Sequence, residues 1–287
     1  MHEILHILEH AFIDTLKVLP SLFLIYLLIE YLEHKNNNKA HHLFMKSEKA
    51  GPLFGGLFGC IPQCGFSVIA SELYSKRFIS LGTLIAVFIA TSDEAIPMLL
   101  SEPSLWTKML MLIAAKFIFA VLFGFLIDLF IRKKQHVHHH HCEEEHEEHH
   151  HYHGNCESCP DGILKSTLIH VVKIFVFIFL ISVVLGFVME YVPKEMLSVN
   201  KFLQPFIAPI IGLIPNCAAS VLLTELYIEG EGILTLSSLI GGLCAGAGVG
   251  LIVLFRLNKN IKENLFVVLL LYLIGALTAT VLTLFGI

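Results

Sequence analysis

Charge is scarce in this sequence. Only 15% of its 287 residues are Asp, Glu, Lys or Arg, and 55% are hydrophobic, whereas soluble chains carry about 25% charged and roughly 45–50% apolar residues. Too little polar surface remains to coat a water-facing fold, which excludes a soluble enzyme. A basic excess is missing too. The net charge of −5 and pI near 6.4 argue against a nucleic-acid binder. No phosphate-binding loop or ATPase segment supplies energy. The start also lacks the basic residues and small-residue cleavage site of a secretory signal. It opens Met1-His2-Glu3 and has no Lys before Lys17, so it is read as the first membrane helix.

Long apolar runs, each near the ~20 residues that a bilayer core requires, lie at about 11–33, 50–75, 78–100, 106–131, 164–192, 202–227, 232–257 and 263–286. Two of these eight blocks are interrupted halfway, by Gly59-Cys60-Ile61-Pro62-Gln63-Cys64 and by Gly212-Leu213-Ile214-Pro215-Asn216-Cys217. Proline removes a helical hydrogen bond and clashes with the preceding turn, so each block reads as two half-helices meeting at a break.

The distribution of Lys and Arg tests whether these broken blocks cross the membrane. If all eight cross, the sixteen loop positives divide six against ten and orient nothing. If the two broken blocks dip in and return, thirteen gather on one side and only Lys108, Lys194 and Lys201 fall on the other. The re-entrant reading is preferred. It puts both termini outside and the loops 34–50, 76–77, 132–165 and 257–262 in the cytoplasm of a plasma-membrane protein.

The two halves resemble each other. Laying 59–74 on 212–227, an offset of 153, gives nine identities in sixteen positions, among them Pro62/Pro215, Cys64/Cys217, Ser67/Ser220 and Glu72/Glu225. Asp14 and Lys17 of the first helix are echoed by His170 and Lys173. Each half then holds three crossings and one re-entrant pair, and an odd number of crossings inverts the second copy. The expected fold is an all-α polytopic membrane protein of two inverted repeats with about ten segments. The first repeat is 1–131, a cytoplasmic loop covers 132–162, and the second repeat is 163–287. Inverted repeats with broken helices are the architecture of secondary transporters.

The breaks are the expected substrate site. Half-helix ends present unpaired N–H and C=O groups, and beside them stand Pro62, Gln63 and Cys64 in one half and Pro215, Asn216 and Cys217 in the other. Thiol plus amide oxygen suits a thiophilic metal or metalloid. The third crossing adds Asp93 and Glu94, adjacent carboxylates inside an apolar run, which are costly and usually functional. Pro97 cannot donate to the Asp93 carbonyl, so that oxygen is expected to be free to ligate. The corresponding stretch of the second half carries Gly242, Gly246 and Gly250 instead, read as helix packing. Asp14, Lys17, His170 and Lys173 are candidates for a buried ion pair or proton relay. Lys116 and Asp128 are read as snorkelling or paired, and Glu72 and Glu225 as interfacial anchors.

The loop between the halves is compositionally distinct. It holds His136, His138, His139, His140, His141, Cys142, His146, His149, His150, His151, His153, Cys156 and Cys159, with glutamates interspersed. Such a segment buries no core, but its side chains suit Zn, Cu, Ni, Co or Mn. Between 132 and 162 there are three positive and seven negative residues, so this loop accounts for most of the net charge.

At these residues the chain resembles the ten-helix heavy-metal exporters, also called arsenic efflux proteins, distant relatives of organoarsenical permeases. The resemblance rests on Asp14-Thr15-Leu16-Lys17 with Pro20, Glu30-Tyr31-Leu32-Glu33-His34, Ile61-Pro62-Gln63-Cys64-Gly65-Phe66, Ser92-Asp93-Glu94-Ala95 with Pro97, and Ile214-Pro215-Asn216-Cys217. It implies efflux of a metal or metalloid ion, arsenic-type or a divalent cation such as Mn or Zn, with no resident cofactor. Alternating access with proton exchange is the expected mechanism. The competing reading is a transmembrane thiol–disulfide electron carrier using Cys64 and Cys217.

Overall fold

Proline, glycine and short polar residues decide where this chain stops being helical. A computed structural model describes residues 50–63, 65–92, 94–135, 202–228 and 233–286, together with 12, 13, 15, 16, 19, 20, 23, 172, 175, 176, 179, 180, 183 and 184. Its helices are α1 (Gly51–Gly59), α2 (Gly65–Ser75), α3 (Leu81–Ala90), α4 (Ala95–Ser101), α5 (Trp106–Gln135), α6 (Gln204–Gly212), α7 (Cys217–Ile228), α8 (Leu236–Ala245), α9 (Val249–Leu257) and α10 (Ile261–Leu284). A 3₁₀ turn at Pro103–Leu105 leads into α5, and no strand occurs among the described residues.

Both proline-bearing blocks are broken where the sequence indicates. Pro52 is the second residue of α1 and Pro205 the second of α6, first-turn positions where a missing N–H costs no helical bond. α1 then ends at Gly59 before Pro62, and α6 at Gly212 before Pro215. The caps of the next helices also match. Ser80 Oγ accepts from Thr83 N (3.1 Å) to start α3, and Thr235 Oγ1 accepts from Ser238 N (3.3 Å) to start α8.

Two further breaks correct the expectation of continuous crossings at 78–100 and 232–257. α3 stops at Ala90, Thr91 is extended (φ −60°, ψ 129°), and α4 begins at Ala95. Pro97 therefore sits in the first turn of a new helix, so the argument that it frees the Asp93 carbonyl within one continuous helix does not hold. On the other side α8 stops at Ala245, and Gly248 (φ 52°, ψ −147°) precedes α9. That backbone region is essentially restricted to glycine. Gly242 and Gly250 do pack as expected. A Cβ on Gly250 would come within 2.7 Å of the Ser67 backbone, and one on Gly242 within 2.8 Å of Leu223 Cδ1. Gly246 belongs to the break instead.

Among the described residues, four stretches are long and apolar enough to cross a membrane: Leu81–Ser101, Pro103–Phe130, Leu236–Leu257 and Ile261–Leu284. The protein is thus helical and membrane-spanning. Along α5 the exposed residues include Ile118, Leu122, Phe125 and Leu129, a lipid-type face at helical spacing.

α3 and α8 form the centre. Leu84, Ile85, Phe88 and Ile89 of α3, and Leu239, Ile240 and Cys244 of α8, are inaccessible to solvent. α3 packs on α1, α2 and α5; α8 packs on α6, α7 and α10; and α3 meets α8. These groups are joined further by α2 with α9, α4 with α7, α5 with α8 and α3 with α10, the first two being exchanges of peripheral helices. In the first, Ser71 Oγ donates to Gly250 O (2.7 Å).

The helix ends fix which loops lie together. Arg77 Nη2 reaches both carboxylate oxygens of Glu263 (3.1 and 2.9 Å), so the end of α2 sits at the start of α10. Lys108 lies over the Tyr227 ring, 5.8 Å from its centre, bringing the start of α5 to the end of α7. Gln204 Nε2 donates to Ile233 O and its Oε1 accepts from Thr235 N (3.1 Å). The two ends of the α6–α7 pair are therefore on the same side.

The structure also places the four charged residues given lesser roles, and it alters the reading of Glu72. Glu72, read as an interfacial anchor, is 2% exposed and lies 3.5 Å from Lys76, while Glu225 is half-buried. Asp128 is engaged in capping, accepting from Ser80 Oγ (2.7 Å) and Gly82 N (2.8 Å). Lys116 does not snorkel. It is 1% exposed, and its ammonium donates to backbone carbonyls inside the protein.

Candidate functional site

The breaks converge on one small cavity. Thr91 and Ser92 enter it from the α3–α4 break, Gly212, Asn216, Cys217 and Ser220 from the α6–α7 break, and Gly246 and Gly248 from the α8–α9 break. Leu223, Gly242 and Leu243 complete the wall. Its volume is about 20 Å³, space for one water-sized occupant. Irregular backbone at membrane depth persists only where protein buries it or where it lines such a cavity.

Local chain geometry positions each polar group. After α6 ends, Asn216 N donates to Ile214 O (2.7 Å) in a tight turn, and α7 begins at Cys217. Asn216 Oδ1 accepts from Ala218 N (3.4 Å), engaging the first turn of α7. Cys217 is 5% exposed and packs in a cluster with Val68 of α2 and Val249 and Val253 of α9. Ser220 Oγ, one turn on, donates back to Cys217 O (2.7 Å). On the opposite wall, Thr91 Oγ1 donates to Val87 O (2.7 Å). Ser92 Oγ is buried and has no hydrogen-bond partner. A buried hydroxyl left unsatisfied is costly, which makes Ser92 a candidate site residue.

Lys116 bonds the backbone of two lining residues. Its Nζ donates to Thr91 O (2.5 Å) and to Leu243 O (2.8 Å), carbonyls of two residues that line the cavity. The donor set therefore includes thiol, amide and hydroxyl groups. Sulfur favours soft ions and the oxygens favour harder ones.

The expected site residues divide into three groups. Asn216 and Cys217 line the cavity, while Pro215 makes the adjoining turn. Pro62 is exposed and Gln63 half-buried in the α1–α2 break, and neither lines the cavity. Glu94 is half-buried at the start of α4, also outside the lining. Cys64, Asp93, Asp14, Lys17, His170, Lys173 and the His-rich loop lie outside the described residues. Sequence reading missed Thr91, Ser92, Ser220 and Lys116. Ser92 stands beside the acidic pair, Ser220 repeats Ser67 at the duplication offset, and Lys116 interrupts an otherwise apolar run. Each signal was present but weaker than proline, cysteine or carboxylate.

A protein-family model described as "Putative, 10TM heavy-metal exporter" matches residues 1–201. The chain belongs to this family. The exporter match takes in the first break, the Thr91–Glu94 break and the His-rich loop, and ends before α6, so Asn216 and Cys217 lie beyond it. Neither the curated proteins nor the solved structures yield a match. Membership of an exporter family supports transport rather than catalysis and lends nothing to the electron-carrier reading.

Proposed function

We propose that this protein is a secondary active exporter that carries a heavy-metal or metalloid ion, arsenic-type or a divalent cation such as Mn or Zn, out of the cell. The observation that carries the reading is the cavity walled by three chain breaks, where Cys217, Asn216 and the unpartnered Ser92 hydroxyl face one another across the junction of the two helix groups. Family membership supplies the cargo class.

The transport cycle is alternating access between inverted repeats. α1 to α5 and α6 to α10 correspond in order, in their breaks and in their packing, and the exchanges α2–α9 and α4–α7 are equivalent under that correspondence. The pairing of Arg77 with Glu263 and the stacking of Lys108 on Tyr227 support re-entrant α1–α2 and α6–α7 pairs. Eight single crossings would set both pairs of partners on opposite faces of the membrane. On this topology the Arg77 and Glu263 end faces the cytoplasm and both termini face outward, in the plasma membrane.

In the cycle, a cytosolic ion enters between the repeats and is held by Cys217 and Asn216 with Cys64 and Asp93 of the first repeat. It leaves outward after the repeats rock, and a proton returns. Asp14, Lys17, His170 and Lys173 are the proton-relay candidates. The His-rich loop from His136 to Cys159 gathers cytosolic metal.

Elemental analysis of cells with and without the protein across a metal panel tests the reading, followed by flux in proteoliposomes with and without a pH gradient. Lower cell content of one ion, and flux that follows the pH gradient, are expected. Unchanged content for every ion defeats the proposal.

A further inference from the structure

Lys116 sits in the middle of α5 with apolar residues on both sides. An ammonium at that depth either extends to the interface or finds partners inside the protein. Full burial excludes the first course, and the donations to Thr91 O and Leu243 O meet the second.

Those two acceptors are not ordinary helix carbonyls. Thr91 is the C-terminal cap of α3, and Leu243 lies in the last turn of α8. Both helices stop there, so the carbonyls of their last turns have no intrahelical donor. The end of a helix also carries a partial negative charge of roughly half an electron. Two such ends converge at the centre of the protein, and converging carbonyls of broken helices are the kind of environment that coordinates a small cation in transporters. The ammonium of Lys116 stands in that place. Ser92, whose buried Oγ has no partner, lines the cavity that Thr91 and Leu243 share.

Among the described residues, the second helix group has no counterpart of Lys116. Asp128 of α5 and Thr283 of α10 both bond the starting turns of their central helices, and Leu271 is as far from Thr283 as Lys116 is from Asp128. Leu271 is fully buried and apolar. The Lys116 ammonium therefore serves both helix ends.

We propose that Lys116 is a tethered cation filling a monovalent-cation site built by the C-terminal ends of α3 and α8, and that shortening its side chain turns this position into an open site for a free small cation. A transporter with this device needs no free sodium at the centre, because the chain supplies the charge itself. The transport consequence rests on the proposed export function, but the cation site does not.

The test uses the purified full-length protein and the variants Lys116→Ala, Lys116→Met and Lys116→Arg. Thermal melting is compared in sodium, methylammonium and choline chloride at equal ionic strength. The wild type and Lys116→Arg are expected to melt alike in all three salts. Lys116→Ala should melt about 5 °C or more lower in choline and recover, saturably, in sodium or methylammonium. Lys116→Met, which fills the space without charge, should stay low in every salt. Recovery of folded Lys116→Ala only in sodium or methylammonium is the same result in stronger form. A Lys116→Ala protein that is indifferent to the cation, or unfolded in every salt, overturns the proposal.

In proteoliposomes the wild type should ignore sodium, and Lys116→Ala should depend on it by on the order of tenfold. If the wild type moves no metal under any gradient, the export reading fails while the melting comparison still decides the role of Lys116.

Discussion

Cys217 begins α7 and Asn216 stands just before it, and a one-atom change at either alters the cavity without touching the helix framework. Cys217→Ser replaces a soft donor by a hard one of similar shape. It should lower efflux of a thiophilic ion on the order of tenfold or more and leave the amount of folded protein in the membrane unchanged, measured as cell metal content against expression. Wild-type efflux by this variant removes Cys217 from the site. Gly250 gives a structural counterpart. Its Cα faces the Ser67 backbone, where an added Cβ would sit at 2.7 Å, and neither backbone can yield like a flexible side chain. Gly250→Val should cost about 1–3 kcal/mol by overpacking and loosen the α2–α9 crossing, read as a lower melting temperature.

At the scale of elements, the breaks have unequal local causes. Those after α1 and α6 follow from Pro62 and Pro215. The break after α8 depends on Gly248, whose φ of 52° with ψ of −147° is disfavoured for any residue with a Cβ. Gly248→Ala should therefore destabilise by roughly 1–3 kcal/mol, visible in thermal melting. Helix starts are specified by side chains instead. Asp128 accepts from both Ser80 Oγ and Gly82 N, tying the first turn of α3 to the far end of α5. Asp128→Ala leaves both donors short of a partner and should cost about 1–3 kcal/mol. Asp128→Asn, which keeps one acceptor oxygen, should cost less.

For the whole molecule, the decisive contacts are those between loops far apart in sequence. Arg77 ends α2 in a left-handed conformation (φ 63°), Phe78 N donating to Leu73 O and Arg77 N to Tyr74 O, as in a Schellman motif. A non-glycine residue there costs energy. Its side chain is held by Glu263 and lies over the Tyr74 ring at 5.4 Å. The pair is largely exposed, so it contributes only about 0–1 kcal/mol to stability. Its larger effect falls on the movement of one helix group against the other. Arg77→Glu should impair efflux severalfold with little change in melting, and the swapped pair Arg77→Glu with Glu263→Arg should restore it. No recovery by the swapped pair argues that the contact is incidental. Cysteines placed at 77 and 259 should label from one side of the membrane and those at 108 and 228 from the other. Removing 136–159 should weaken metal tolerance at low concentration while leaving transport measurable. Complete loss of transport would contradict an accessory role for the loop.

The family and the helical membrane class were legible in composition and in a few motifs, because apolar length and proline act locally. The breaks after α1 and α6 were equally legible, since a ring that lacks an N–H ends a helix whatever surrounds it. The breaks after α3 and α8 were not. Thr91 and Gly246 suit either a continuous or a broken helix, and only packing of α4 against α7 and of α9 against α2 selects between them. Lys116 was visible as a charge in an apolar run, but it donates to carbonyls 25 and 127 residues away, beyond any local pattern. The sequence by itself determined that this chain lives in a membrane, where it bends at proline and which family it belongs to. Only the tertiary structure decided which breaks meet, that Asn216 and Cys217 share a cavity with Ser92, and that a lysine sits between two helix ends. Those choices depend on which distant helix ends converge, and no single segment encodes that.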